Sequence, residues 1–506
     1  MKILIVTPEA HPFFKTGGLG DVAGSLARAL ARRGHDVRLA LPHYRFLDTQ
    51  GFDIRPLLPE IMVEIDGRWI AGAVDLAPGA APAYLIRCDR YFDRAAAYGE
   101  VVGGHWFDYP DNLERFAFFC MAAMWTLKAL DWRPDVIHAN DWQTALIPAI
   151  LKTHRIIATD PFYAGIRTVF AIHNLAFQAR APWSMAPNIG LGPEIQGAEG
   201  LAFDGGLNLM KGGIAFSDHI TTVSPRYAQE IQTAELGCGL EGELRARASR
   251  LTGILNGIDC DEWNPATDPH LPAAYSADDL RGKALCKAAL QRQAGFPADA
   301  TIPLVGMVSR LSTQKGFELV DAILAPMLQD GAQLVVLGAG EPRYHRMLER
   351  MARRHPGRVS VRLTFDNGYA HLIEAGADLF LMPSYYEPCG LNQMFSMRYG
   401  TPPVVRATGG LADSVTDCTP ETMRAGRATG FVFGPYDPDA LWEALSRAFS
   451  LYRHSPNDWR RLMRNGMARD FSWDRVAGQY EDLYRRIVTP AESHAAAMDA
   501  PIASAR

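Results

Sequence analysis

Apolar residues along this chain fall in short unbroken runs, most of them ending in glycine or polar residues before a stretch of helical spacing begins. Residues 2 to 7 read as a buried strand, and a Gly-rich loop follows. Leu19, Val22, Ala23, Leu26 and Leu30 then share one helical face that Gly34 ends, and Asp36 to Leu41 makes the next strand. A strand, a helix and a second strand in that order imply a parallel sheet with helices packed on it. Val136 to His138, Thr168 to Ile172 and Ile220 to Val223 continue the strand series. Met62 to Ile65 and Tyr84 to Ile86 suggest further, antiparallel, strands added to the same sheet.

A second series runs through Pro303 to Val308, Leu334 to Leu337, Val359 to Val361, Leu379 to Met382 and Val404-Val405, with helical patterns between them. Residues 257 to about 300, with Pro265, Pro269 and Pro272 and few apolar positions before Leu285, read as the connector. The expected domains are therefore 1–256 and 257–475. A helix over 476–488 is expected to pack back on the first domain, and a polar, Ala-rich tail over 489–506 to be disordered. Both domains read as Rossmann-like α/β folds, whose ligands bind beyond the carboxyl ends of the strands, so a cleft between them is the expected site.

Composition narrows the class. A length of 506 residues with 48% hydrophobic content fits two cores, and a net charge of -5 gives no bulk attraction for nucleic acid. Phe116 to Leu127 is too short an apolar run to span a bilayer and is flanked by charge, so no membrane partner is expected. The N-terminal apolar run meets Pro8 and Glu9 at once, unlike a signal peptide. Seven scattered cysteines without a C-x-x-C pair argue for a reducing compartment, and a cytoplasmic protein is expected.

Candidate chemistry lies at the strand ends. Pro383 to Leu391 sets Glu387 on a tight turn before a helix carrying Leu391, Met394, Phe395 and Tyr399. That carboxylate either accepts sugar hydroxyls beside a phosphate or serves the helix start as a capping or dipole residue. Arg310 and Lys315 flank the loop after Val308, where a guanidinium fork and a compact ammonium suit a departing diphosphate; solvated surface is the ordinary alternative. Lys15-Thr16-Gly17-Gly18-Leu19-Gly20-Asp21 lets backbone approach an anion but completes no full phosphate motif. His173-Asn174 and Asn140-Asp141-Trp142 end first-domain strands, where imidazole, amide, carboxylate and indole suit a carbohydrate, although Asp141 also reads as a helix cap. Asp437-Pro438-Asp439 fits an N-cap with proline at the first helical position, and no catalytic metal or other cofactor is expected.

Taken together, Lys15 to Asp21, His173-Asn174, Asn256 to Asp259, Arg310 with Lys315, Glu387 to Leu391 and Thr408 to Leu411 resemble the bacterial glycogen synthase and plant starch synthase family, over residues 1 to about 488. The resemblance implies a GT-B fold, two Rossmann-like domains with parallel sheets facing across a deep cleft. It implies glucose transfer from ADP-glucose to the 4-hydroxyl at the non-reducing end of glycogen or another α-1,4-glucan, with retention and without metal. On this likeness Arg310, Lys315, Gly18 and Lys15 hold the diphosphate, and Glu387 and His173 hold the glucose. The amides of Cys389, Gly390 and Leu391 face phosphate. Asn174, Asp141 and Trp142 serve the sugar and acceptor side, Phe365 lies against adenine, and Tyr98, Asp21 and Asn256 complete the substrate contacts. Two positions depart from the family or its wider group: Ala179 stands where glycine is common, and Phe395 where many retaining relatives carry a second glutamate. A transferase with another nucleotide sugar, a nucleotide-sugar epimerase and an inactive glucan-binding regulator are the rival readings.

Overall fold

The computed structural model describes residues 1–102 and 105–489. It falls into two compact units, one of Met1–Thr221, Ile231–Thr252 and the C-terminal segment from Val476, the other of Thr222–Glu230 and Gly253–Arg475. Except for Thr489, the tail expected to be disordered lies outside the described residues.

The first unit is built on a nine-stranded sheet. Its strands are β1 (Lys2–Val6), β2 (Asp36–Pro42), β3 (Arg55–Ile65), β4 (Arg68–Ala77), β5 (Ala83–Arg87), β6 (Val136–Asn140), β7 (Arg167–Ile172), β8 (His219–Thr222) and β9 (Leu251–Gly253), in the order β9-β8-β7-β6-β1-β2-β5-β4-β3. Strands β7, β6, β1, β2 and β5 are parallel. Helix α1 (Gly18–Arg32) buries the predicted Leu19, Val22, Ala23, Leu26 and Leu30. The 84–86 strand, expected as an antiparallel addition, is parallel to β2 and antiparallel only to β4, a strand the pattern of apolar residues did not reveal. Strand β4 lacks a clear apolar alternation because it carries exposed Arg68 and Trp69 at one end and Ala71-Gly72-Ala73 in its middle.

The second unit carries six parallel strands: β10 (Leu304–Val308), β11 (Gln333–Leu337), β12 (Val359–Arg362), β13 (Leu379–Met382), β14 (Pro403–Arg406) and β15 (Phe431–Phe433), ordered β12-β11-β10-β13-β14-β15. Val305, Leu334, Val336, Leu379 and Val404 from the sheet meet Phe317, Ile323, Leu441, Leu445 and Phe449 from helices in one core. Each such side chain contributes about 1.5–3 kcal/mol on burial.

The segment read as a connector is part of this unit. It contains helix α2 (Arg281–Gln293), in which Cys286 and Leu290 are buried and Leu285 is exposed. Two of its lysines are also buried. Lys283 Nζ donates to Ala375 O, Tyr399 O and Thr401 Oγ1 at 2.8, 3.1 and 2.6 Å, and Lys287 Nζ lies 2.7 Å from Asp378 Oδ2. A helix that buries lysines on carbonyls looks solvated in sequence, because only the fold supplies the acceptors. Near the C-terminus, helix α3 (Trp473–Val488) joins the first unit: Tyr484 Oη lies 2.7 Å from His138 Nδ1, and Glu481 pairs with Arg33 at 2.8 Å.

Candidate active site

In the second unit, adjacent parallel strands bring three loops together. Val305 and Gly306 of β10 pair with Leu379 and Phe380 of β13, so the loop carrying Arg310 and Lys315 lies beside the turn carrying Glu387. Tyr385 N donates to Gln314 O at 2.8 Å and Gln314 Nε2 to Tyr386 O at 3.1 Å, tying one to the other. Gly316 has φ 73°, and a side chain there would run into the Pro383 carbonyl oxygen, so the loops approach this closely only with glycine. The loop after β14 closes the third side: Gly410 N donates to Glu387 O at 3.1 Å, and any side chain on Gly409, at φ 43°, would strike that same carbonyl. Glu230 holds this loop from below, accepting from Gly409 N at 3.0 Å and Thr408 Oγ1 at 3.2 Å.

Within that cradle Glu387 is buried and is not a helix cap. Lys315 Nζ donates to its two oxygens at 2.9 and 2.7 Å, and Ser384 Oγ donates to Oε2 at 2.8 Å. Lys315 is thus committed to the carboxylate, whereas the exposed Arg310 guanidinium has no hydrogen-bond or ion-pair partner among the described residues. The backbone N–H groups of Cys389, Gly390 and Leu391 likewise have no partner there. Asn256 is buried beside the Cys389 thiol, to which it donates hydrogen bonds, and burial pushes that thiol up to about 12. Phe365 projects from its loop with 83% of its surface exposed. Phe395 is stacked on Trp263 at 3.8 Å between ring centroids, so the position of the absent second glutamate is filled by aromatic packing.

In the first unit the ends of β1, β6 and β7 gather a second cluster. Asp141 does not cap the turn it precedes; its Oδ1 accepts from His173 N at 2.8 Å, across to the next strand. Its backbone takes φ 58°, a left-handed conformation, and burial raises its carboxyl to about 7. His173 Nε2 lies 2.9 Å from Asn140 Oδ1, while Asn140 Nδ2 donates to Val6 O and His138 O, both at 3.1 Å. Because the amide NH₂ is spent on carbonyls, its oxygen must accept, which puts the imidazole proton on Nε2 and leaves Nδ1 as an acceptor. Burial pushes His173 down to about 3, so the ring is neutral. Asn174 Oδ1 accepts from Ala176 N at 3.1 Å, and Trp142 packs edge-on against Phe116 at 5.2 Å.

Lys15 and Asp21, both predicted for substrate, pair with each other at 2.8 Å, and the Gly17-Gly18 backbone between them is exposed. Tyr98 Oη donates to Glu9 Oε1 at 3.0 Å. Glu9 was not among the sequence candidates. Its only signal was a carboxylate just past the end of β1, one of the strand ends at which open α/β sheets collect ligands.

Residues 2–246 match the starch synthase catalytic domain model, and residues 292–465 match the model for glycosyl transferases group 1. The chain is 48% identical to a glycogen synthase of Anaeromyxobacter sp. (strain Fw109-5) over 97% of its own length and 100% of that protein's. This chain belongs to the glycogen synthase and starch synthase family. It is 48% identical to glycogen synthase 2 of Geobacter sulfurreducens over 96% of this chain and 98% of the relative. The catalytic domain of starch synthase IV from Arabidopsis thaliana, solved bound to ADP and acarbose, superposes with a TM-score of 0.86 at 37% identity, covering 96% of this chain and 99% of that one. A sucrose-phosphate synthase from Thermosynechococcus elongatus shares the fold at a TM-score of 0.57 and 19% identity, covering 96% and 98%. As a member of this glycosyltransferase family, the chain has the GT-B fold class, with two Rossmann-like units. Among the described residues of this synthase-family chain, no helix is long and apolar enough to cross a membrane.

Proposed function

We propose that this chain transfers glucose from ADP-glucose to the non-reducing-end 4-hydroxyl of an α-1,4-glucan, with retention of configuration, as the elongating step of glycogen synthesis in the cytoplasm. The observation that carries this reading is the Lys315–Glu387 pair on loops fixed by neighbouring strands, with Arg310, which has no hydrogen-bond or ion-pair partner among the described residues, on the same loop as Lys315. Arg310 supplies a fork of donors for phosphate oxygens, and the amides of Cys389 to Leu391, without partners among the described residues, add neutral donors. Lys315 adds charge to the departing ADP while remaining beside Glu387, whose carboxylate accepts glucose hydroxyls. Phe365 offers an exposed ring face to adenine.

On the acceptor side, neutral His173 accepts a hydroxyl hydrogen bond through Nδ1, a role that an imidazolium could not fill. Asp141 and Asn174 take further hydroxyls, and Trp142 and Tyr98 present ring faces to the sugar. The acceptor hydroxyl attacks C1 on the face that the diphosphate leaves, and a diphosphate oxygen takes its proton. Charge stabilisation by Arg310 and Lys315 therefore has to grow as the glycosidic bond breaks.

The test is incorporation of radiolabelled glucose into glycogen from ADP-glucose, run beside UDP-glucose. Incorporation from ADP-glucose in clear excess supports the reading. Preference for UDP-glucose overturns the donor assignment, and binding of glycogen without incorporation overturns the enzymatic one.

A further inference from the structure

Glu9 is a buried carboxylate without a cation. It is 4% exposed and follows β1 by three residues, and no lysine, arginine or histidine pairs with it among the described residues. Instead it is surrounded by donors from two distant stretches of chain. Thr16 N and Thr16 Oγ1 both donate to it, the hydroxyl at 2.9 Å to Oε1 and 3.2 Å to Oε2. Gly17 adds a backbone donor, and Tyr98 Oη donates at 3.0 Å. Four donors from Thr16, Gly17 and Tyr98 match the lone-pair capacity of an ionised carboxylate, and two of them are backbone N–H groups that cannot turn round to accept.

The loop thus held carries the exposed Gly17-Gly18 backbone and leads into helix α1. Among the described residues Thr16 has no further hydrogen-bond partner, and Lys15 pairs with Asp21 at 2.8 Å. We infer that Glu9 is a positioning residue, whose ionised carboxylate holds the Thr16-Gly17 backbone and Tyr98 in the arrangement that receives the diphosphate and the sugar. It touches no substrate itself and acts through the loop. This inference rests on the proposed transferase reaction for its kinetic consequences, but not for the ordering of the loop.

Burial raises the Glu9 carboxyl above its ordinary value, so it gains a proton at a higher pH than a surface glutamate would. The ionisable groups facing it are Tyr98, Tyr44 and Asp141, all of them neutral or acidic, and buried Arg115 acts on Tyr44 rather than on Glu9 directly. None supplies a positive charge that would keep Glu9 ionised in mild acid. Protonation removes acceptor capacity that the N–H donors require, and the loop is released.

The experiment compares wild type with Glu9→Gln and Glu9→Asp in three readouts. Amide exchange at Thr16 and Gly17, measured without substrate, should be slow in wild type near neutral pH and fast in Glu9→Gln. The turnover of Glu9→Gln on ADP-glucose and glycogen should fall about tenfold to a hundredfold. In wild type kcat should drop on the acid side with a limb that Glu9→Gln lacks and Glu9→Asp partly retains. Wild-type exchange at Thr16 and Gly17 in Glu9→Gln overturns the inference, as does an unchanged acid limb. Equal losses in Gln and Asp variants accompanied by equal falls in Tm also overturn it, because they mark a purely structural residue. A wild-type protein that transfers no glucose from ADP-glucose overturns the functional reading, while the exchange data still decide the role of Glu9.

Discussion

The Lys315 ammonium contacts both oxygens of the Glu387 carboxylate, at 2.9 and 2.7 Å, although the two residues lie on different loops, 72 positions apart. Adjacent strands β10 and β13 make that pairing, and Ser384 completes the carboxylate's shell at 2.8 Å. The assigned roles, diphosphate for one and glucose for the other, are thus physically coupled before any ligand arrives.

Removing one member of this pair leaves a buried charge without its partner. Lys315→Met and Glu387→Gln should each destabilise the chain by about 3 kcal/mol, the double variant by much less than their sum, and all three should lose most activity. Urea denaturation of the four proteins measures the coupling. Additive losses would mean that the ion pair contributes nothing to the fold.

Arg310 and Phe365 give the opposite expectation, because both are exposed and Arg310 has no partner among the described residues. Alanine at either position should change stability by no more than about 0.5 kcal/mol. Arg310→Ala should lower kcat by about a hundredfold or more. Phe365→Ala should raise KM for the donor with little effect on that for glycogen. Initial-rate kinetics with each substrate varied in turn separate these outcomes, and a donor KM unchanged in Phe365→Ala removes its adenine role.

Asp141 carries a pH signature. Burial raises its carboxyl from 3.8 to about 7, so the folded chain holds a proton there that the unfolded chain has released. Stability from this group is therefore full below about pH 4 and is lost as pH rises through about 7. Asp141→Asn should abolish that dependence while keeping an oxygen for the His173 amide. The stability difference between variant and wild type should move in the variant's favour by up to about 1.4 kcal/mol per pH unit across the window. A difference that stays constant from pH 4 to 8 would contradict it.

Ala179, noted as a departure from a common glycine, has φ 52°. A Cβ in that left-handed conformation is strained, which is the physical reason for glycine there. Ala179→Gly should stabilise the chain by about 1 kcal/mol, and Ala179→Val should destabilise it. Loss of stability in the glycine variant would show that the conformation carries no strain.

Much of the fold was legible because its cause is local. The apolar runs of β1, β10 and β13 and the helical face of α1 depend only on neighbours in sequence, and Asp437 caps its helix as expected, accepting from Asp439 N at 2.9 Å. The misreadings share a different cause. The segment 257–300 reads as a connector because helix α2 buries Lys283 and Lys287 on acceptors that include Ala375, Tyr399, Thr401 and Asp378, far along the chain. The alternative reading of Asp141 as a cap fails because its partner, the His173 amide, lies on the next strand. Glu9 passed unnoticed because its donors come from Thr16, Gly17 and Tyr98, and only one end of that set is near in sequence.

By itself, then, the amino-acid order determined the two α/β units, the loops at their strand ends and the chemical kinds of side chain those loops carry, since periodicity and turn residues act over a few positions. The tertiary structure decided which charges are spent on each other and which stay free, and which carboxylates lose water. Those properties depend on strand register and burial, through which Lys315 is bound to Glu387, Arg310 is left open, His173 is neutral and Glu9 is held only by donors.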